Sequence, residues 1–214
     1  AYPFLLAARA KERPLLVITS SSRGAEDLAH ELRELHSHVL EFPAWETLPH
    51  ERLSPSSDTV GRRMAVLRRL AHPKEIEPIT VLVTSAQAFI QPIVAGLGDV
   101  PALNIATGDD FPLEKLVSEL SRLGFDRVDL VDRRGQFAVR GGIVDVFFPL
   151  AIHPIRIDFF GDEIEEMKYF DVADQRTQEP VTEVIEILPC REFILTPEIQ
   201  ARAAALEEKF PSTS

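Results

Sequence analysis

The stretch from Arg133 to Thr177 constrains the fold of this chain more than any other, because it contains three strand-like runs separated by turn residues. Polar and apolar residues alternate from Gln136 to Val139, and Gly141-Gly142 then interrupts the run, as at a β-bulge or a close backbone approach. Ile143 to Phe148 is strongly apolar, and a third run extends from Ile155 to Phe160. This pattern predicts a β-rich domain in this part of the chain.

The third run predicts two different faces, because successive side chains of a strand point to opposite sides of the sheet. The buried face would consist of Ile155, Ile157 and Phe159. The other face sets Arg156 and Phe160 around the carboxylate of Asp158, and arginine and aromatic residues dominate binding hot spots. Two interpretations are open from the residues alone. The face binds a partner, or Phe160 belongs to the core at a strand end and Arg156 pairs with Asp158.

The first hundred residues alternate between strand-like and helix-like segments, which is typical of an α/β domain with a parallel sheet. Apolar runs at Leu15–Ile18, Val39–Phe42 and Ile79–Thr84 predict strands, the first of them covered on both faces. Helices are predicted from Ala25 to Leu35, after a capping serine, and from Asp58 to Leu70. The apolar face of the second helix would consist of Val60, Met64, Leu67 and Leu70.

That second helix carries the one basic cluster of the sequence, formed by Arg62, Arg63, Arg68 and Arg69. Such a cluster is either a solvated helix face or a remnant nucleic-acid surface, and the residues alone leave both open. The Pro43–Pro55 loop precedes the helix and contains the only tryptophan, Trp45, which we expect to pack between two domains.

The pattern changes at Pro101. Further predicted elements are a strand at Leu103–Ile105, a helix at Pro112–Leu123 ended by Gly124, a strand at Val181–Leu188 and a helix at Glu198–Phe210. We therefore expect an α/β domain at residues 1–100, an α+β, β-rich domain at 101–188, and the start of a helical segment at 189–214.

Charge is unevenly distributed along the chain, whose formal net charge is -11. Residues 1–100 carry 11 Lys/Arg and 12 Asp/Glu, whereas residues 101–214 carry 12 and 22. Phosphate neutralisation dominates nucleic-acid affinity, so the acidic half is a poor binder of DNA or RNA. A protein partner with a basic patch fits it better. Cys190 is the only cysteine, which excludes a disulfide framework, and with no apolar run of membrane-spanning length we expect a cytoplasmic protein.

The sequence contains little that indicates catalysis. No G-x-x-x-x-G-K-[ST] phosphate loop occurs, and the six histidines lack metal-binding spacing. The acidic pairs Asp162-Glu163 and Glu165-Glu166 are more typical of a solvated turn after Gly161 than of a metal site. We therefore expect neither catalysis nor a metal or cofactor in this chain.

Several motifs resemble a known module. The strings F-A-V-R-G-G-I-V-D-V-F (137–147), P-I-R-I-D-F-F-G-D-E-I (154–164) and F-D-V-A-D-Q-R-T (170–177) resemble domain 2 of the UvrB-homology module, found in the repair helicase UvrB and in bacterial transcription-repair coupling factors (Mfd). The strings F-P-A-W-E-T-L-P-H-E-R-L-S-P (42–55) and D-T-V-G-R-R (58–63) resemble the coupling factors rather than UvrB. The resemblance covers nearly the whole chain.

The resemblance implies a fold and a partner. The first domain would be a degenerate RecA-like sheet, like domain 1a of UvrB but without its nucleotide-binding residues. Domain 2 would dock UvrA, the damage-recognition protein, and the family's contact positions match Arg140, Arg156 and Phe160 in this sequence. In the whole protein, the family implies binding to RNA polymerase and DNA, an ATP- and Mg-dependent translocase motor, and a C-terminal domain that covers the docking surface. We therefore expect this chain to be part of a longer protein.

Three functions follow from these observations. The first is a non-catalytic module that recruits UvrA to stalled transcription complexes. The second is a degenerate helicase domain that binds DNA weakly through the basic cluster, which a steep salt dependence of DNA affinity would reveal. The third is a nucleotide hydrolase with an unrecognised site, and the missing phosphate loop argues against it.

Overall fold

The chain has the mixed α/β structure that the sequence predicts. The structure is a computed structural model, and it describes residues 2–47, 51, 53–193, 201, 204 and 205. The helices are α1 (Tyr2–Ala10), α2 (Ser22–Arg33), α3 (Ser57–Ala71), α4 (Ala86–Ile90) and α5 (Leu113–Arg122). The strands are β1 (Leu15–Thr19), β2 (Val39–Phe42), β3 (Val81–Ser85), β4 (Leu103–Ile105), β5 (Asp126–Arg127), β6 (Gln136–Arg140), β7 (Ile143–Val146), β8 (Ile155–Phe160), β9 (Glu163–Phe170), β10 (Thr177–Pro180) and β11 (Ile185–Ile187). The helix predicted at Glu198–Phe210 lies almost entirely outside the described residues.

A three-stranded parallel sheet organises the first part of the chain, in the order β1-β3-β2. Helix α2 begins after Ser21, whose hydroxyl accepts a hydrogen bond from the Gly24 amide, so the predicted serine cap is confirmed. Ala29 and Leu32 of α2 pack with Val81 and Val83 of β3 in a buried cluster. The small residues Ala25 and Ala29 thus let the helix lie close to the β-branched face of the sheet.

The prediction that β1 is covered on both faces is wrong. Leu16 and Ile18 are 53% and 46% exposed, whereas Val17 is buried against α2. On the face of Leu16, helix α3 packs its Val66 with residues of β2 and β3 and not with β1. Leu70, predicted to face the core from α3, is also exposed. The apolar character of a run therefore does not reveal which of its faces a neighbouring element covers.

A six-stranded sheet dominates the second part of the chain, in the order β10-β9-β8-β7-β6-β5. All neighbouring strands are antiparallel except β5 and β6. Helix α5 covers one face, where Leu116 and Leu120 pack with Phe137, Ile155 and Ile157. Residues predicted as one strand, Val181–Leu188, form only β11, which pairs with β4, and residues 177–180 form β10 instead.

Gly141-Gly142 forms a tight turn between β6 and β7, and not the predicted bulge. Arg140 pairs directly with Ile143, so the two glycines are the loop of a hairpin, and Gly141 has a φ of 60°. The predicted close approach is confirmed at Gly142, where an added Cβ would lie 3.3 Å from the Phe159 carbonyl oxygen. The register of the sheet shifts instead in the β8–β9 pair, between Asp158 and Phe159, and in the β10–β9 pair, between Thr177 and Pro180.

Candidate protein-docking site

Arg140, Arg156 and Phe160 lie on one face of the six-stranded sheet, opposite α5. The alternation predicted for β8 is confirmed, since Ile155 and Ile157 are buried beneath α5 and Phe160 is exposed. Antiparallel pairing sets Asp145 of β7 directly opposite Arg156. Arg140 ends the neighbouring strand β6, diagonal to Asp145. We call Arg140, Asp145, Arg156 and Phe160 the docking face.

Arg156 is mostly buried, with a side chain only 17% exposed. Its Nε and Nη2 atoms donate to the two oxygens of Asp145 at 2.7 and 2.9 Å. These hydrogen bonds raise the pKa of the Arg156 guanidinium, although its burial acts in the opposite direction. The interpretation that Arg156 pairs with Asp158 is wrong, because Asp145 lies opposite it across the strand pair, whereas Asp158 is its neighbour along the strand.

Arg140 remains half exposed and shares the same carboxylate. Its Nη2 atom donates to Oδ2 of Asp145, while 50% of its side chain is open to solvent. Asp145 itself is 1% exposed. The sequence did contain a signal for it, since Asp145 is the only charged residue within the apolar run Ile143–Phe148, and a buried carboxylate requires a cationic partner.

Phe160 is 76% exposed at the end of β8. The chain turns immediately after it at Gly161, which has a φ of 63°, and Phe160 pairs with Glu163 across the hairpin. Phe159 packs against the core instead, so the interpretation of Phe160 as a core residue is wrong. An exposed phenyl ring on the same sheet face as a half-exposed guanidinium has the composition of a binding hot spot.

The four arginines of α3 do not form one solvent-facing cluster. Arg63 is completely buried, and Pro43 and Glu192 accept its hydrogen bonds. Its guanidinium also lies 4.2 Å from the ring centroid of Phe42 and 5.0 Å from that of Trp45. A DNA-facing or solvated role for Arg63 is therefore wrong, since its charge is neutralised between two parts of the fold.

The other arginines of α3 are only partly available. Arg62 contacts Glu41 at 3.3 Å and Asp58 at 3.1 Å, and Arg68 contacts Glu186 of β11 at 2.9 Å. These pairs remove most of the positive charge that a phosphate backbone would need. Arg69 is half-buried.

Trp45 ties the loop before α3 to the end of the second part of the chain. Its indole N–H donates to Oε1 of Glu192 at 2.9 Å, and its amide donates to Gln91 at 2.9 Å. Glu192 therefore accepts from both Trp45 and Arg63, and Trp45 joins the loop before α3 to residues that follow the six-stranded sheet. The expectation that Trp45 packs between two domains stays a prediction.

Carboxylates line the cleft at the carboxyl edge of the parallel sheet, where α/β folds of this type bind ligands. Its acidic residues are Glu26, Asp27, Glu41, Glu46 and Asp58, against the two cations Arg23 and Arg62. Burial raises the pKa of Glu41, although Arg62 beside it acts in the opposite direction. This charge balance would repel a nucleotide polyphosphate.

The structure shows neither a candidate metal centre nor a membrane span in its described part. Among those residues, no group of three or more His, Cys, Asp or Glu side chains could hold a metal ion. No described helix is long and apolar enough to cross a bilayer. Cys190 is buried, and this burial raises the pKa of its thiol, so the thiolate form is disfavoured.

The part of the chain that contains the docking face matches a known sequence family. Residues 103–193 match the sequence family described as the UvrB interaction domain, and this range includes all four residues of the docking face. The family assignment therefore falls on the β-rich part of the chain, as its motifs predict.

The whole chain is similar to transcription-repair-coupling factors. The factor of Mycobacterium tuberculosis (strain CDC 1551 / Oshkosh) is 47% identical over 210 residues, which are 96% of this chain and 17% of the relative. Those of Myxococcus xanthus and Escherichia coli (strain K12) are 33% and 32% identical over 89% and 84% of the chain. The predicted resemblance is thereby confirmed: the chain belongs with the transcription-repair-coupling factors and spans about one sixth of their length.

Proposed function

We propose that this chain is a non-catalytic docking module that binds UvrA and thereby brings the damage-recognition protein to stalled transcription complexes. The observation that carries the proposal is the exposure of Phe160 on the same sheet face as the half-exposed Arg140, in a part of the chain that matches the UvrB interaction domain. The similarity to coupling factors supplies the transcriptional context. RNA polymerase, DNA and an ATP-driven motor would be partners or parts of the longer protein.

The proposed mechanism is mimicry of UvrB. The module would present an arginine and a phenylalanine to the surface of UvrA that otherwise receives UvrB. Phe160 would enter an apolar pocket, and burying its ring contributes about 2 kcal/mol. Arg140 would pair with a carboxylate of UvrA, and truncating a buried, paired arginine costs about 2–5 kcal/mol. Arg156 would support this surface from within the same face, since two of its N–H groups already donate to Asp145.

The parallel sheet would serve as a scaffold in this function. We propose that it is a degenerate RecA-like sheet, in which the nucleotide site has been replaced by the acidic cleft at its carboxyl edge. Cleavage of ATP by this chain alone would contradict that role. The proposed domain division at residues 100 and 188 remains a prediction.

Titration of purified UvrA with this chain tests the proposal. We expect binding that Phe160→Ala weakens by about tenfold or more, because the ring is exposed and available to a partner. Phe89→Ala is the matched control, since Phe89 is 56% exposed in the first part of the chain and outside the docking face. Absence of binding by the unmutated chain, with UvrA shown to bind UvrB, would refute the proposal. If Phe160→Ala and Phe89→Ala lose equal affinity for UvrA, the binding site does not lie on the docking face.

A further inference from the structure

Asp145 is the acidic residue of the docking face to which neither the strand pattern nor the family resemblance gives a role. It is 1% exposed and lies between the two arginines. A buried carboxylate is costly unless it is paired and hydrogen-bonded. Here both oxygens are used, because Oδ1 accepts from Arg156 and Oδ2 accepts from both Arg156 and Arg140.

Arg156 is held on three sides. Its fork of two N–H groups faces Asp145, and its Nη1 atom donates to the Gln175 carbonyl at 3.3 Å. The guanidinium also lies 5.0 Å from the ring centroid of Phe170. Gln175 is fixed in turn by a hydrogen bond from its backbone amide to the backbone carbonyl of Asp171 at 2.8 Å. The orientation of Arg156 is therefore determined by the fold, with little surface left for a partner.

Arg140 differs from Arg156 both in how few contacts hold it and in how much of its side chain is exposed. Within the described part of the chain its one ion pair is to Asp145, and half of its side chain is exposed. A guanidinium has five N–H donors, so several of them remain directed away from Asp145. A long side chain at the end of a hairpin strand would otherwise sample many rotamers, and ordering it on binding costs affinity.

We propose that Asp145 is the positioning residue of the docking face. Arg156 anchors Asp145, and Asp145 in turn holds Arg140 in its binding orientation. This inference rests on the proposed function and assigns the two arginines different tasks within it. Arg140 meets the carboxylate of UvrA. Arg156, which the family resemblance gives as a contact position, acts in this assignment mainly through Asp145. Removing the charge of Asp145 takes away the ion pair of Arg140 and the two-pronged contact of Arg156 without removing either guanidinium group.

Affinity for UvrA tests this assignment through a double-mutant cycle. Asp145→Asn is expected to lower the affinity by about tenfold, whereas in an Arg140→Ala background it has almost no further effect, because the group that it positions is gone. Asp126→Asn, which removes the carboxylate from the Arg191 ion pair away from the docking face, is the matched control and leaves affinity unchanged. Full additivity of the two substitutions, or unchanged affinity in Asp145→Asn, would overturn the inference.

A second measurement separates positioning from binding. In NMR spectra of the free chain, the Nε–H signal of Arg156 should be protected from exchange with water and lose this protection in Asp145→Asn. The Nε–H of buried Arg63, which donates to Glu192, is the internal control and should keep its protection. Protection of Arg156 that survives Asp145→Asn would overturn the positioning role, whether or not UvrA binds.

The two failures are distinguishable. If the unmutated chain does not bind UvrA, the proposed function fails and the inference falls with it, while the exchange data still show how the arginines are held. If Asp145→Asn does not fold, Arg156→Lys replaces it in the cycle, because lysine retains the charge but cannot form the two-pronged contact with Asp145. The same loss of affinity, absent in the Arg140→Ala background, is then expected.

Discussion

At the scale of single residues, neighbours on one strand face have opposite environments. Arg156 and Phe160 point to the same side of β8, yet the arginine side chain is 17% exposed and the phenylalanine 76%. The difference comes from Asp145 and the Gln175 loop, which enclose the arginine, whereas the chain turns away just after the phenylalanine. A surface of this kind combines a fixed charge network with one free apolar group.

Glu41 provides a prediction about pH. Burial raises its pKa above the usual 4.5, so the folded state binds this proton more tightly than the unfolded state does. The resulting stabilisation is present below pH 4.5 and is lost as the pH rises through the folded-state pKa. Glu41→Gln should therefore increase the free energy of unfolding at pH 7, by about 0.5–1 kcal/mol, with a smaller gain at pH 4. Urea unfolding at the two pH values measures this difference.

Glu46 lies in the same cleft and is the control, because its pKa is shifted in the opposite direction to that of Glu41. Burial acts to raise its pKa, but hydrogen bonds, chiefly from Ser56, outweigh burial and lower it. The stabilisation from Glu46 is therefore present above its unfolded-state pKa and lost as the pH falls, so Glu46→Gln should be less stable than the unmutated chain at pH 7. Gains in stability from both variants would contradict this account of the cleft.

At the scale of elements, α3 connects the two parts of the chain. Its Gly61 lies so close to the loop after β7 that an added Cβ would be 2.4 Å from Cβ of Pro149. Arg63 and Arg68 reach Glu192 and Glu186, which follow the six-stranded sheet in sequence. The helix that the sequence marks as basic is thus an internal support.

Arg63→Met tests the role of α3. Removing one member of a buried ion pair leaves Glu192 as an uncompensated charge, which should lower the free energy of unfolding by about 3–5 kcal/mol. Arg69→Met, at a half-buried position of the same helix, should change it by less than about 0.5 kcal/mol. Urea unfolding followed by the fluorescence of Trp45, which lies against Arg63, measures both. Equal effects of the two substitutions would contradict the proposed support.

Sequence patterns predicted elements more reliably than environments. The period-two alternation placed β8 at Ile155–Phe160 and identified its buried face correctly, because alternation reports directly on a strand with one covered side. Arg63 could not be assigned in this way, since its partner Glu192 lies 129 residues away along the chain. Asp145 was accessible in principle, as a lone carboxylate in an apolar strand, but its two partners lie on different strands.

At the scale of the whole molecule, charge and apolar surface agree with a protein-binding role. The acidic second half of the chain disfavours DNA, and most of the arginines of α3 are paired within the fold. The docking face lies on the sheet surface opposite α5, where a partner can approach Arg140 and Phe160 together. The remaining sequence of the coupling factors would determine when that face is accessible.

Competition for UvrA tests the central proposal most directly. A complex of UvrA with labelled UvrB is titrated with this chain, and release of UvrB is followed by fluorescence anisotropy. Mimicry predicts that the unmutated chain displaces UvrB, that Phe89→Ala does so equally well, and that Phe160→Ala requires about tenfold more protein or fails. If the chain binds UvrA without displacing UvrB, or if Phe160→Ala displaces it as efficiently, the docking face does not mimic UvrB.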